Sequence, residues 1–245
     1  MSVVRTQLAD HVAVVTIDDA EGRNTLSERV VHELIAVLAA VGSDRAVHAI
    51  VLAGRSDVFC AGASREMLRA IVEGRVAPTD IMLPRAILEL PVPVIAAMSG
   101  HAIGGGLAVG LCADLVLIAR ESRYGASFMN MGFTPGMGMT RLFEHVLTRA
   151  VAHELLYTGE ARRGDAFIDN AGFNYILPRA EVLPKAMDLA ARIAEKPRFA
   201  LETLKRTLSL PRRQAFEATR TVESLMHEVC FAQPEILARI EDNYE

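Results

Sequence analysis

The sequence predicts an α/β fold, with a core of mixed strands and helices over 1–190 followed by a helical region over 191–245. Three observations carry that expectation. Short β-branched runs alternate with helical stretches in the first part of the chain, whereas the apolar spacing from Arg141 onward is almost wholly helical. The stretch Pro91-Val-Pro-Val-Ile-Ala-Ala-Met-Ser-Gly-His-Ala-Ile-Gly-Gly-Gly-Leu-Ala-Val-Gly110 runs from a buried strand (Val92 to Met98) through a turn into three glycines that open an apolar helix. Finally, 245 residues with 51% hydrophobic and 23% charged side chains suit one large domain, or one domain with a helical appendage.

Taken in order, Val3 to Ile17 alternates as two strands joined near Asp10. Asp19 to Asn24 is a turn, and Ser27 caps a helix with Val30, Val31, Leu34, Ile35 and Leu38 on one face. Ala49 to Ala53 is a strand ending at Gly54. The loop Asp57-Val-Phe-Cys-Ala-Gly-Ala-Ser-Arg-Glu-Met67 leads into a helix over 65–75, a mobile loop over 74–80 and a helix from Met82 to Glu89. Beyond the glycines, Leu115 to Ala119 is a buried strand and Tyr124 to Thr140 a loop dense in Gly and Met. Helices follow over 141–155, 164–171, 180–195, 197–208 and 211–239, interrupted by the apolar piece Tyr175 to Leu177.

A net charge of -4 argues against nucleic acid as the main partner. Cys60, Cys112 and Cys230 are far apart and lack metal-ligand spacing, which predicts reduced buried thiols, a cytoplasmic setting and no metal site. No charged-then-apolar leader opens the chain, and glycine and polar residues break the apolar runs around Val92 and Leu107, so no membrane span is expected.

A strand that ends in glycines and enters a helix leaves N–H donors uncovered, with the positive end of the helix dipole behind them. Such donors suit a developing negative charge. Gly105 is therefore read as half of an oxyanion hole for an enolate, the competing reading being that the glycines merely permit close helix packing.

Phe59-Cys-Ala-Gly-Ala63, Gly100-His-Ala-Ile-Gly-Gly-Gly106, Cys112-Ala-Asp114 and Thr134-Pro-Gly-Met-Gly-Met-Thr140 together resemble the enoyl-CoA hydratase/isomerase (crotonase) superfamily. Tyr157-Thr-Gly159 and Glu195-Lys-Pro197 extend the match over nearly the whole chain. The resemblance implies a crotonase-like ββα spiral core with a helical C-terminal trimerisation region, in a homotrimer or dimer of trimers. It also implies an acyl thioester carried on a pantetheine arm and no further cofactor. The two amides that bind the thioester oxygen in that family map onto Ala63 and Gly105, and the expected acyl pocket comprises Ala61, His101, Phe128, Met129 and Phe133, with packing the favoured reading for His101 and core filling the competing one for Met129.

The departures from the family carry more information. The two glutamates with which hydratases activate water fall on Ala108 and Phe128, so paired-carboxylate hydration and single-glutamate isomerisation both lose their acid–base groups. Decarboxylation needs no base, because departing CO2 leaves its electrons behind. An apolar wall would desolvate the substrate's carboxylate and favour moving its charge into the thioester.

A narrower resemblance agrees. The same stretches, with Phe128-Met-Asn-Met-Gly-Phe133 and Met226-His-Glu228, are similar to decarboxylating crotonase-like proteins of polyketide β-branching cassettes. Those act on a 3-methylglutaconyl group borne by an acyl carrier protein. The resemblance makes His227 the proton donor. The lysine that accompanies it in the family has no counterpart, since the first lysine here is Lys185, and Arg75 is the nearest cation in the right loop. Arg75 would grip the substrate carboxylate without giving up a proton. Arg65 and Arg69, at helical spacing, would meet the acidic carrier protein or its phosphate. Solvated surface is the competing reading for all three arginines. Asp114 is read as a backbone anchor. The rival functions are an enoyl-thioester isomerase and a catalytically silent acyl-binding subunit.

Overall fold

In the computed structural model, which describes residues 2–77, 82–169 and 171–244, the chain opens with an antiparallel hairpin of β1 (Val4–Ala9) and β2 (Val12–Ile17). Asp10 and His11, both at positive φ, make its turn. Ser27 caps α1 (Glu28–Ser43) by accepting the Val30 amide at 3.2 Å, and Val30, Leu34 and Leu38 are fully buried. Next come β3 (Ala49–Ala53), β4 (Val58–Cys60), α2 (Arg65–Val72), α3 (Leu83–Leu88), β5 (Val94–Met98) and β6 (His101–Ile103). They are followed by α4 (Gly105–Leu111), β7 (Leu115–Ala119), β8 (Arg123–Gly125), α5 (Met139–Leu142), α6 (Arg149–Thr158), β9 (Ala161–Arg163) and β10 (Tyr175–Leu177). Four helices close the chain: α7 (Arg179–Ala194), α8 (Arg198–Leu208), α9 (Leu210–Phe231) and α10 (Ile236–Asp242).

The strands form a six-stranded sheet, ordered β1-β2-β3-β5-β7-β10, and a four-stranded sheet, ordered β4-β6-β8-β9. In the larger sheet β2, β3, β5, β7 and β10 are parallel. β3 and β5 are buried at every position, which explains their unbroken apolar sequences. One face carries the main core, with α1, α3 and α4. On the other face α7 lays Val182, Ala186, Ala190 and Ala194 against Val51, Ile95 and Leu117. This i, i+4 row of small residues lets the helix lie close to the sheet. α7 spans the expected boundary at 190/191, and α8 to α10 form the helical region beyond it.

Asp114 ties these parts together. It accepts the Val94 amide at 2.8 Å and pairs with both Lys205 from α8 and Arg212 from α9. Lys205 is buried, and that burial lowers its pKa against the pull of Asp114.

The structure corrects the sequence expectation in four places. β4, β6, β8 and β9, each three residues long, occupy stretches read as loops or turns; so short a strand shows no alternation. The helix expected over 164–171 is a single 3₁₀ turn, Gly164–Phe167, and Asn170 lies outside the described residues. The helix expected over 141–155 breaks into α5, a 3₁₀ turn (Phe143–His145) and α6, which Thr148 caps afresh. The helix expected over 211–239 stops at Phe231 and resumes at Ile236, with Pro234 between. Of the loop expected over 74–80, residues 78–80 lie outside the described residues. Among the described residues no helix is long and apolar enough to cross a membrane, and no group of His, Cys, Asp and Glu could hold a metal ion.

Candidate active site

Three parallel strands of the smaller sheet, β4, β6 and β8, end side by side, and the chain beyond each helps to wall one cavity of about 280 Å³. Cys60, Ala102 and Tyr124 are register partners across these strands, and three residues past each come Ala63, Gly105 and Ser127. At such carboxyl ends backbone groups are no longer committed to the ladder and are free to meet a ligand.

The first wall is the bend after β4. Gly62 has φ +86°, and a methyl group there would lie 2.8 Å from the Ile103 carbonyl oxygen and 3.5 Å from the Gly105 nitrogen. Only glycine permits both the conformation and the approach. Asn24 holds this bend from below. Its side chain, fully buried, donates to the carbonyls of Ile17 (2.9 Å) and Val58 (3.0 Å), and its own carbonyl accepts the Ala61 amide at 3.0 Å. The Gly62 carbonyl accepts from the Leu26 amide at 2.6 Å. Among the described residues no acceptor takes the amide proton of Ala63 or of Gly105. Gly105 is the first residue of α4, whose seven residues make a weak macrodipole, so the amide itself is the donor on offer.

The second wall is aromatic. In the 3₁₀ turn Ser127–Met131, Phe128 and Met131 face the cavity. Phe128 meets Phe133 edge-on at 6.1 Å, Phe133 meets the His227 ring at 6.3 Å, and Phe231 lies 5.3 Å beyond His227. Among the described residues no Asp, Glu, Lys or Arg lines it.

His227, 6% exposed, is the lining residue that can carry a positive charge. Its Nε2 lies 2.8 Å from the Thr134 carbonyl oxygen, to which it must donate, while the buried Nδ1 has no partner. Burial lowers its pKa below the ordinary value of 6.5, opposed by the Thr134 and Pro135 carbonyls, so the ring is neutral at pH 7. One turn earlier on α9, buried Glu223 accepts the Gly138 amide at 2.7 Å and both the amide (3.1 Å) and hydroxyl (2.7 Å) of Thr140. It fixes the loop that carries Thr134. Burial raises its pKa, and it does not line the cavity, so among the described residues no carboxylate takes the places of Ala108 and Phe128.

Asn243 and Tyr244 complete the wall. The Tyr244 hydroxyl donates to the Ala63 carbonyl, and its ring lies 5.6 Å from the Arg65 guanidinium.

Of the residues singled out by sequence, Ala61, Ala63, Gly105, Phe128, Phe133 and His227 all line this cavity. The other five do not line it. Arg75 lies across α2 in a separate groove with Glu28 and His32, 60% exposed and bonded to Glu73 through Nε at 2.8 Å. Its expected grip on substrate is not available from there. His101 begins β6, at the opposite end of the small sheet, where its Nδ1 accepts the Arg123 amide at 2.8 Å. Met129, 41% exposed, points out of the turn from which Ser127, Phe128 and Met131 line the cavity. Arg65 and Arg69 flank the cavity, but both pair with Glu241 of α10.

Sequence reading missed Asn24, Glu223, Phe231 and Tyr244. Asn24 and Glu223 act through folding across 35 and 85 residues, which no local pattern displays. The i, i+4 pair Glu223 and His227 on an otherwise amphipathic helix was the one visible signal.

Residues 7–241 match the family model for enoyl-CoA hydratase/isomerase. The chain belongs to that family. It is 38% identical over 239 residues to bacillaene synthase decarboxylase PksI of Bacillus subtilis (strain 168), covering 97% of this chain and 96% of that protein. A structure from a dehydratase/decarboxylase enzyme couple involved in polyketide β-branching superposes with a TM-score of 0.95 at 38% identity, over 99% of both chains. The ECH2 decarboxylase domain of CurF from Lyngbya majuscula superposes with a TM-score of 0.92 at 34% identity, over 99% of this chain and 100% of that one. The crotonase fold expected from the motifs is thus the fold observed.

Proposed function

We propose that the protein is a crotonase-family lyase of polyketide β-branching that decarboxylates a 3-methylglutaconyl-type thioester borne by an acyl carrier protein. The single observation that carries the reading is an apolar cavity with two unclaimed amides and, among the described residues, no carboxylate. The decarboxylase relatives, similar over the whole chain, supply the reaction class.

The thioester oxygen sits between the Ala63 and Gly105 amides. The bond between the γ-carbon and the carboxylate breaks, CO2 leaves, and the electron pair passes through the conjugated double bond to the thioester oxygen as a dienolate. The two amides stabilise that charge, and one such donor is typically worth about 2.7–4 kcal/mol in the transition state. With Arg75 outside the cavity, the carboxylate meets apolar walls that favour its loss. Its negative charge also raises the pKa of His227, the one described lining residue able to become cationic. His227, protonated from solvent at its unpartnered Nδ1 while Nε2–H stays on the Thr134 carbonyl, then gives that proton to the dienolate. Delivery to the γ-carbon gives the 3-methylcrotonyl product, and delivery to the α-carbon the β,γ-alkene.

The expectation of a homotrimer or dimer of trimers is retained. Val222, Leu225 and Val229 make an exposed apolar row along α9, and Leu204 and Leu208 of α8 are exposed as well. Light scattering in solution tests it, and a monomer would remove it.

The test of function is mass spectrometry of 3-methylglutaconyl-pantetheine loaded on carrier protein. Loss of CO2 is expected. A double-bond shift at constant mass would mean an isomerase, and an unaltered substrate a silent binding subunit.

A further inference from the structure

Residue 63 is pinned from two sides, and the second pin comes from the far end of the fold. The peptide that presents the Ala63 N–H has its carbonyl, that of Gly62, taken by the Leu26 amide at 2.6 Å. The next peptide has its amide, that of Ser64, donated to the Leu26 carbonyl at 3.4 Å. The remaining group is the Ala63 carbonyl, and the Tyr244 hydroxyl donates to it. Fixing both peptide planes fixes the direction of the N–H between them.

Tyr244 is itself held. The Arg65 guanidinium lies 5.6 Å from its ring centroid and donates to its backbone carbonyl at 3.0 Å. Arg65 also reaches Glu241 at 3.4 Å, and Glu241 pairs with Arg69 as well. These ties fasten α10 onto α2, directly after the bend that carries Ala63. Asn243, beside Tyr244, reaches the Asn130 carbonyl at 3.4 Å across the mouth of the same cavity.

We propose that Tyr244 is a positioning residue for the Ala63 amide, kept in register by the Arg65–Glu241–Arg69 clasp. The inference rests on the reading of Ala63 and Gly105 as the oxyanion donors. Its physical content is pre-organisation. A donor aimed before the reaction need not be reoriented as charge develops, so loosening the aim lowers turnover more than substrate affinity. Burial pushes the Tyr244 phenol up to about 12, so it stays a donor across the working pH range.

The test compares the wild-type protein with Tyr244→Phe, which keeps the ring against Arg65 and deletes only the hydroxyl. The probe is the saturated 3-methylglutaryl thioester of pantetheine, which cannot lose CO2, labelled with ¹³C at the thioester carbonyl and read by isotope-edited infrared spectroscopy. Wild-type protein is expected to lower the carbonyl frequency on binding, and Tyr244→Phe to recover part of the free value. In turnover, Tyr244→Phe is expected to lower kcat about tenfold with KM within about twofold. Glu241→Gln, which leaves the cavity lining intact, should move both readouts the same way by less. A full wild-type shift in Tyr244→Phe with unaltered kcat would overturn the role of Tyr244 and leave the oxyanion reading standing. No shift in the wild-type protein would overturn the oxyanion reading itself, and this proposal with it.

Discussion

His227 lies directly over Gly136: a methyl group on that Cα would come within 2.6 Å of the imidazole Cε1. The ring is boxed between this glycine, Phe133 and Phe231, with its Nε2 on the Thr134 carbonyl two residues away. Gly136→Ala therefore has to displace the imidazole. Turnover is expected to fall by about 10²-fold, the low end for a misplaced acid–base group, while the circular dichroism spectrum stays that of the wild type. Activity within threefold of wild type would mean that the ring's placement is not critical.

Removing the imidazole tests the proton itself. His227→Gln is expected to slow turnover by roughly 10²–10⁴-fold. If the imidazolium donates, kcat/KM falls as pH rises through the free protein's His227 pKa, which burial sets below 6.5. The limb in kcat lies at higher pH, because bound carboxylate favours the cation. Stability has the opposite sign. The unfolded chain takes up this proton at higher pH than the folded one, so the contribution is complete above about pH 6.5 and lost as pH falls toward the folded value. Thermal melts from pH 7 downward should show this loss in wild type and less of it in His227→Gln.

Phe128 occupies the place of a water-activating glutamate. Phe128→Glu puts a carboxylate against the bound carboxylate in a cavity that no described Arg or Lys lines. CO2 release is expected to drop by at least about tenfold, through like-charge repulsion at low dielectric. Unimpaired release from this variant would show that desolvation of the substrate carboxylate is not what drives the reaction.

Asp114 has no part in the chemistry and a large part in the fold. Asp114→Asn leaves buried Lys205 without its counter-charge and is expected to cost about 3–5 kcal/mol of stability. Urea denaturation checks this, with a loss below about 1 kcal/mol as the contrary result.

The larger sheet was legible because β3, β5 and β7 are apolar runs of five residues bounded by turn residues, and α1 announces itself through Ser27 and a clean apolar face. The smaller sheet was not. Three-residue strands such as β4 and β6 are defined by their partners rather than by their own pattern. The amide positions were readable from Gly62 and the glycine triplet, since close backbone approach demands glycine. The position of Arg75 was not legible, because distance along the chain does not say which side of a helix a residue occupies.

Because Cys60, Ala102 and Tyr124 pair across β4, β6 and β8, the residues three and four places past them gather at one rim of the small sheet. That rim can be rewritten letter by letter, an acid exchanged for a phenyl ring at position 128, while hydrogen bonding in the strands beneath goes undisturbed. One scaffold can thereby change trade, from adding water to expelling carbon dioxide, without refolding.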